Sequence, residues 1–243
     1  MGRLSVSAVP VLTDNYVWLI HNAESGETAA VDPSVGEPVL DAAAANGVRI
    51  TQVLNTHWHP DHTGGNAALK AATGSSITGP AEAQRVSEVD HVVAEGDRVT
   101  VAGAEAVVWE IPAHTAGHIA YYFEEEGMIF VGDTMFAMGC GRLFEGTPEQ
   151  MFANLRRITA LPPNVRIYCG HEYTLANARF AAHAESDNGA IAARLEEVSA
   201  TRDRGEITLP TTVAQELATN PFVLAPNVDE FARLRRDKDS FRS

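Results

Sequence analysis

Apolar and polar positions divide the chain into two regimes. Up to Cys169, short apolar runs alternate with segments of helical period; from Tyr173 onward only the helical period continues. Strands are predicted over 5–12 and 16–21, split by the turn-like Thr13-Asp14-Asn15, and over 28–31, where Asp32-Pro33 ends the run. A helix over 37–46 stops at Gly47, and a strand over 50–55 leads into a histidine-rich loop and a helix over 66–73. Further strands are predicted over 76–78, 98–101, 106–111, 118–123 and 128–131, with Glu124-Glu125-Glu126-Gly127 as an exposed turn between the last two. A helix over 148–160 carries proline in its first turn, and a buried strand over 165–169 follows. Helices over 173–184, 190–204, 211–219 and 228–240 then run without an intervening strand, so a boundary is expected near 172.

Composition narrows the class. The 243 residues have room for one large domain, or for one domain and a small appendix. Met1-Gly2-Arg3-Leu4-Ser5-Val6 lacks a signal-peptide pattern, and no apolar run approaches the roughly 20 residues of a membrane helix, so a cytoplasmic protein is expected. Cys140 and Cys169 form no disulfide framework and read as small apolar residues. A net charge of −14 argues against nucleic acid or an anionic membrane as partner. Basic residues cluster once, as Arg233, Arg235, Arg236, Lys238 and Arg242. That cluster reads either as a solvated tail or as a pocket for a small anionic ligand, and composition leaves both open.

The chemistry concentrates in Thr56-His57-Trp58-His59-Pro60-Asp61-His62-Thr63-Gly64-Gly65. In an extended chain His57, His59 and Asp61 share a face, while His62 breaks the alternation as the loop turns toward the next helix. His114, Asp133 and His171 each follow an apolar strand, as does Asp32. Together they make two sets of three, His57, His59, His114 and Asp61, His62, His171, with Asp133 able to bridge. Imidazole and carboxylate without thiolate suit zinc, and also iron or manganese. Seven ligands over two ions leave positions for water, and two ions roughly 3.5–4 Å apart can hold a hydroxide between them and polarise a substrate oxygen. This is the donor set of a hydrolase. His21, His91 and His183 lack a partner pattern, and His118 is expected to support the site without binding metal.

These residues resemble the metallo-β-lactamase superfamily and, within it, the glyoxalase II (hydroxyacylglutathione hydrolase) family. The likeness runs through Thr13-Asp14-Asn15-Tyr16, the His-rich motif, Pro112 to His118, Gly132-Asp133-Thr134-Met135-Phe136, Gly139-Cys140-Gly141-Arg142, Gly170-His171-Glu172-Tyr173, Asn220-Pro221-Phe222 and Arg235-Arg236-Asp237-Lys238. The resemblance implies an α+β fold: a four-layer αββα catalytic sandwich over 1–172, then a helical glutathione-binding domain over 173–243. It implies the metal assignment above, with Asp61 and Asp133 catalytic, and hydrolysis of S-D-lactoylglutathione to D-lactate and glutathione by a metal-bridging hydroxide, the second step of methylglyoxal detoxification. It also implies that Arg142, Tyr173, Arg235 and Lys238 hold glutathione. Where some members carry a second tyrosine, this chain has Phe144, which keeps an aromatic wall and lacks one hydroxyl. Rival readings are a hydrolase of a lactone or another acyl thioester, a persulfide dioxygenase with one iron, and a metal-stabilised binding module.

Overall fold

The computed structural model describes residues 4–242; Met1, Gly2, Arg3 and Ser243, the outermost residues of the two expected domains, lie outside the described residues. In chain order the strands and helices are β1 (Leu4–Val11), β2 (Asn15–Asn22), β3 (Glu27–Val31), α1 (Glu37–Ala45), β4 (Arg49–Leu54), α2 (Pro60–Thr63), α3 (Asn66–Thr73), β5 (Ser76–Gly79), β6 (His91–Val92), β7 (Arg98–Val101), β8 (Ala104–Glu110), β9 (Ile119–Phe123), β10 (Met128–Gly132), β11 (Met135–Phe136) and β12 (Gly139–Cys140). Then come α4 (Pro148–Thr159), β13 (Arg166–Cys169), α5 (Thr174–Ala184), α6 (Gly189–Asp203), β14 (Thr211–Thr212), α7 (Val213–Thr219), α8 (Pro221–Leu224) and α9 (Val228–Ser240).

Two six-stranded sheets lie face to face, in the orders β1-β2-β3-β4-β5-β6 and β14-β13-β10-β9-β8-β7. The run Tyr16-Val17-Trp18-Leu19-Ile20 explains the layering, because its alternate side chains serve two different cores. Tyr16, Trp18 and Ile20 pack toward the second sheet with Tyr121, Phe123 and Phe130. Val17 and Leu19 join Val39 and Ala43 of α1 and Leu69 of α3 on the other face. Each such burial stabilises by roughly 1.5–3 kcal/mol. The outer face of the second sheet is covered by Met151, Leu155 and Ile158 of α4, whose start is fixed by a capping box between Thr147 and Gln150. The result is the four-layer αββα sandwich.

The C-terminal helices depart from expectation at 211–219. Thr211 and Thr212 form β14, pairing antiparallel with Arg166 and Ile167 at the sheet edge. The helix begins only at Val213, because the Thr212 hydroxyl accepts from Gln215 N and caps it. A two-residue strand carries no periodicity of its own, so the helical pattern of 213–219 runs back through it. α7, α8 and α9 pack on α4, and α5 packs on α6.

Strand direction positions the site. β3, β4 and β5 run parallel in the first sheet, and β10 and β13 run parallel in the second. The loops that leave β3, β4, β10 and β13 therefore open at one edge of the sandwich. There an Asn15–His171 bridge and a Tyr16 N–H donated to Gly170 O at 2.8 Å tie the sheets together.

Candidate metal centre and substrate cleft

The seven expected ligand residues converge at that edge. The His-rich stretch is not extended throughout: Pro60 begins a helical turn, α2, that ends at Gly64. His57 and His59 precede the turn, while Asp61 and His62 sit on it. The expectation that Asp61 shares a strand-like face with His57 and His59 is corrected by that turn, which aims Asp61 and His62 at His171 instead. Gly65 allows the turn to dock, since a β-carbon there would lie 2.8 Å from Val35 C and 2.9 Å from Pro33 O.

In the first set, His59 Nδ1 stands 3.1 Å from both His57 Nε2 and His114 Nε2. In the second, His62 Nε2 and His171 Nε2 are 3.3 Å apart, with Asp61 Oδ2 at 3.5 and 3.4 Å from them. Asp133 lies between the sets. Its Oδ2 is 3.5 Å from His114 Nε2 and 3.3 Å from His171 Nε2, and its Oδ1 is 3.5 Å from His62 Nε2. Nitrogens bound at about 2.0–2.1 Å to a tetrahedral ion stand roughly 3.3 Å apart, so both sets have the spacing of a metal shell.

Hydrogen bonding behind the rings supports the same assignment. His114 Nδ1 faces the Arg142 carbonyl at 2.9 Å, so it must donate, which leaves Nε2 as a bare lone pair. The Thr56 hydroxyl donates to Asp32 Oδ2 at 2.7 Å and therefore accepts from His57 Nδ1 at 3.0 Å, again baring Nε2. Both lone pairs converge on His59 Nδ1, an arrangement that a shared cation would satisfy. Burial holds His57, His59 and His114 below the usual imidazole range, so the three rings stay neutral and available as ligands. Among the described residues, buried Asp133 Oδ1 has no hydrogen-bond donor nearer than His62 Nε2 at 3.5 Å. The residues fit a pair of divalent ions.

The second set behaves differently without metal. Burial pulls His171 down, but Asp133 and Asp61 facing its ring push it up to about 10. His62 is raised likewise, against its burial, by Asp133 and Asp32. Burial would raise Asp133, yet His62 and His171 hold it well below the carboxylate range. Asp61 follows the same logic against its own burial, with Asn15 Nδ2 donating to its Oδ2 at 3.1 Å.

Several supporting residues were not assigned from sequence. Asp14 Oδ1 lies 2.8 Å from His171 Nδ1, and Asp32 Oδ2 lies 3.1 Å from His62 Nδ1. The signal for Asp32 was its position just past an apolar strand. Glu82 accepts from the Thr115 hydroxyl and the Gly117 amide, holding the loop that carries His114. His118, expected as a supporting residue, stacks on His57 with centroids 4.6 Å apart and accepts from the Asp133 amide at 3.1 Å. Carboxylates behind metal-binding imidazoles typically matter about 10–100-fold in affinity. Asp14→Ala is accordingly expected to weaken retention of one of two zinc ions by that factor, with folding preserved because Asp14 is part-exposed; chelator competition measures it. Equal retention of both ions would remove Asp14 from this role.

A cleft of about 470 Å³ opens over the cluster, a volume suited to a small-molecule ligand. His59, Asp61, His114, Asp133 and His171 line its floor, and Arg142, Phe144, Tyr173, Arg235 and Lys238 its walls. The Phe144 ring stands 5.7 Å from His59 and 5.2 Å from His114, exposed to solvent. Tyr173 stacks on His171 at 4.7 Å. Arg142 is largely exposed, 3.7 Å from Asp239. Arg235 is buried: its Nη1 donates to Cys140 O at 2.8 Å and its Nη2 to Asp239 at 3.0 Å. Lys238 Nζ donates to Ala176 O at 3.0 Å, and burial, then Arg235, pulls its pKa down to about 8. Gly141 is required where it stands, because a β-carbon there would sit 1.9 Å from Asp133 O.

Fold and centre together define a metal-dependent hydrolase scaffold, and the Metallo-beta-lactamase superfamily description matches residues 12–171. Hydroxyacylglutathione hydrolase C-terminus matches residues 172–241. The chain belongs to the hydroxyacylglutathione hydrolase family of that superfamily. It is 48% identical to the hydroxyacylglutathione hydrolase of Erythrobacter litoralis, over 98% of this chain and 100% of that one. It is 47% identical to that of Methylococcus capsulatus, over 98% and 99%. The crystal structure of ETHE1 from Myxococcus xanthus superposes with a TM-score of 0.74 at 24% identity, covering 98% of this chain and 92% of that one, a likeness of fold.

Proposed function

We propose that this protein hydrolyses 2-hydroxyacyl thioesters of glutathione, S-D-lactoylglutathione first among them, to glutathione and the free hydroxy acid. The observation that carries the reading is one cleft whose floor exposes His59 and His114 of one set, Asp61 and His171 of the other and Asp133 between them, with cationic side chains on its walls. Residues 1–172 supply the floor, and 173–243 supply Tyr173, Arg235 and Lys238. Zinc suits the thiolate-free donor set best, with iron and manganese also accommodated. Bound ions supply Lewis acidity, making water nucleophilic near neutral pH and polarising an acyl carbonyl.

The chain's own residues do the rest. Lys238 and Arg142 draw the carboxylates of the tripeptide, and Tyr173 lines the cleft beside them. Arg235, whose Nη1 and Nη2 already serve Cys140 O and Asp239, acts mainly by keeping α9 in place. The Phe144 ring covers His59 and His114 and limits water on that side. Asp61, kept ionised and steadied at Oδ2 by the Asn15 amide, serves as a ligand and orienting carboxylate and not as a proton donor. A thiol of pKa near 8.5 leaves readily as thiolate, so no strong general acid is needed. Two free, buried cysteines and a glutathione thioester fit the cytoplasm.

The test is thiol release from S-D-lactoylglutathione by purified protein of known metal content, beside an acyl lactone. Turnover of the thioester with two ions per chain is expected. Turnover of the lactone alone, or none by a fully loaded protein, would overturn the reading.

A further inference from the structure

The segment 136–142 joins the floor of the cleft to its wall, yet its own structure is slight. β11 and β12 pair through two residues each, Met135 with Cys140 and Phe136 with Gly139. Such a ribbon does not hold itself in water. At its tip Met138 adopts φ 58°, a left-handed conformation that disfavours a residue with a β-carbon. Side chains of the C-terminal helices hold it instead. Asn177 Nδ2 donates to Ala137 O at 3.1 Å, Asn220 Nδ2 to Gly139 O at 3.0 Å, and Arg235 Nη1 to Cys140 O at 2.8 Å. The Met138 amide donates to Glu216 Oε2 at 2.9 Å.

Glu216 is the hub of this arrangement. It lies on α7, is 1% exposed, and stands apart from the residues that line the cleft. Besides the Met138 amide, its carboxylate accepts from Asn220 Nδ2 at 2.8 Å and from the Thr211 hydroxyl at 2.6 Å. It therefore grips the strained tip and orients the amide that holds Gly139. At the far end of the segment, Arg142 O accepts from His114 Nδ1 at 2.9 Å. Gly141 lies flush on Asp133, its amide donating to Thr134 O at 3.1 Å.

We propose that Glu216 is a positioning residue for His114: it fixes the 136–142 segment, whose Arg142 carbonyl sets the tautomer and aim of that ring. The catalytic consequence rests on the hydrolase reading above; the metal-binding consequence does not. A buried carboxylate is suited to the task because it accepts from several donors at once, whereas an amide must turn its NH₂ toward one of them. The C-terminal helices thus hold a first-set imidazole as well as contributing to the cleft wall.

The test compares wild type, Glu216→Gln and, as a control, Val198→Ala, which trims a fully buried residue of α6. Cobalt(II) is titrated into the metal-free protein against a competing chelator. Glu216→Gln is expected to weaken one of the two binding steps about 10–100-fold, the scale of a lost partner behind a ligand. Exchange of the Met138 amide in the metal-free chain should quicken, and kcat should fall along with a rise in KM as Arg142 shifts. Val198→Ala should lower Tm while leaving cobalt affinity, kcat and KM as in wild type. Thr211→Val removes one donor from Glu216 and leaves every contact to the segment in place. It should give a smaller weakening of the same sign, and it serves if the glutamine chain does not fold. A folded Glu216→Gln protein with wild-type cobalt binding and Met138 exchange would overturn the proposal. Wild-type protein that binds two ions but releases no thiol would overturn the substrate reading, while the cobalt and exchange measurements still decide the role of Glu216.

Discussion

Asp133→Ala will lower kcat by roughly a thousandfold or more and leave fewer than two ions per chain, while the circular dichroism of the fold is retained. The Asp133 carboxylate faces the Nε2 atoms of both sets, with Oδ2 3.5 Å from His114 Nε2 and 3.3 Å from His171 Nε2. Removing it takes a negative charge from between two cation sites and unlinks them. Several kcal/mol of transition-state stabilisation depend on a two-ion site, at about 1.4 kcal/mol per factor of ten. The fold should survive because Asp133 contributes little to the apolar core, and His118 holds the backbone amide, which the substitution keeps. His59→Ala tests the same idea from one side, since His59 is half-buried and belongs to the first set alone. It should cost one ion and most of the activity. Full activity in an Asp133→Ala protein with a single ion would show that the shared carboxylate is dispensable.

The contrast between what was legible in the chain and what was not has a physical basis. The convergence of the seven residues was legible because each follows an apolar run, and apolar runs become strands whose parallel ends meet at one edge. Their partition between two sets was reachable from composition and spacing. The local reason for it, the helical turn begun by Pro60, was not anticipated, although proline followed by Gly64 is a helix start and stop. Asp14 and Asp32 escaped assignment because their role depends on which ring nitrogen they meet across 157 and 30 positions of chain. β14 escaped because two threonines carry no period, and only the edge of β13 makes them a strand. Met138 is the plainest case: no sequence rule places methionine at φ 58°, and the groups that hold it there come from helices far along the chain. Where local propensity and tertiary contact disagree, the tertiary contact sets the site.

Lys238→Ala is expected to raise KM for S-D-lactoylglutathione roughly ten- to a hundredfold with kcat nearly unchanged, the loss of one hydrogen bond to a charged group at about 1.5–3 kcal/mol. The basic cluster at the C-terminus left a choice between a solvated tail and an anion pocket. Lys238 now stands in the cleft wall, its Nζ 5.4 Å from the Phe180 ring centroid and 5.8 Å from that of Phe241. Burial there, reinforced by Arg235, lowers its pKa to about 8, while Asp239 and Cys140 oppose the shift. The sign of the pH effect follows. The ammonium that draws a carboxylate is present below pH 8 and is lost as pH rises through it, so KM should be lowest on the acid side and climb above about 8. Lys238→Arg keeps its charge across that range and should flatten the climb, even if its wider head lifts KM throughout. Steady-state KM against pH for the three proteins, with Tm recorded because Nζ also serves the Ala176 carbonyl, separates charge from packing. A KM for Lys238→Ala equal to wild type at pH 7 would return this lysine to a purely structural role, and an arginine variant with the same climb would assign the titration to another group.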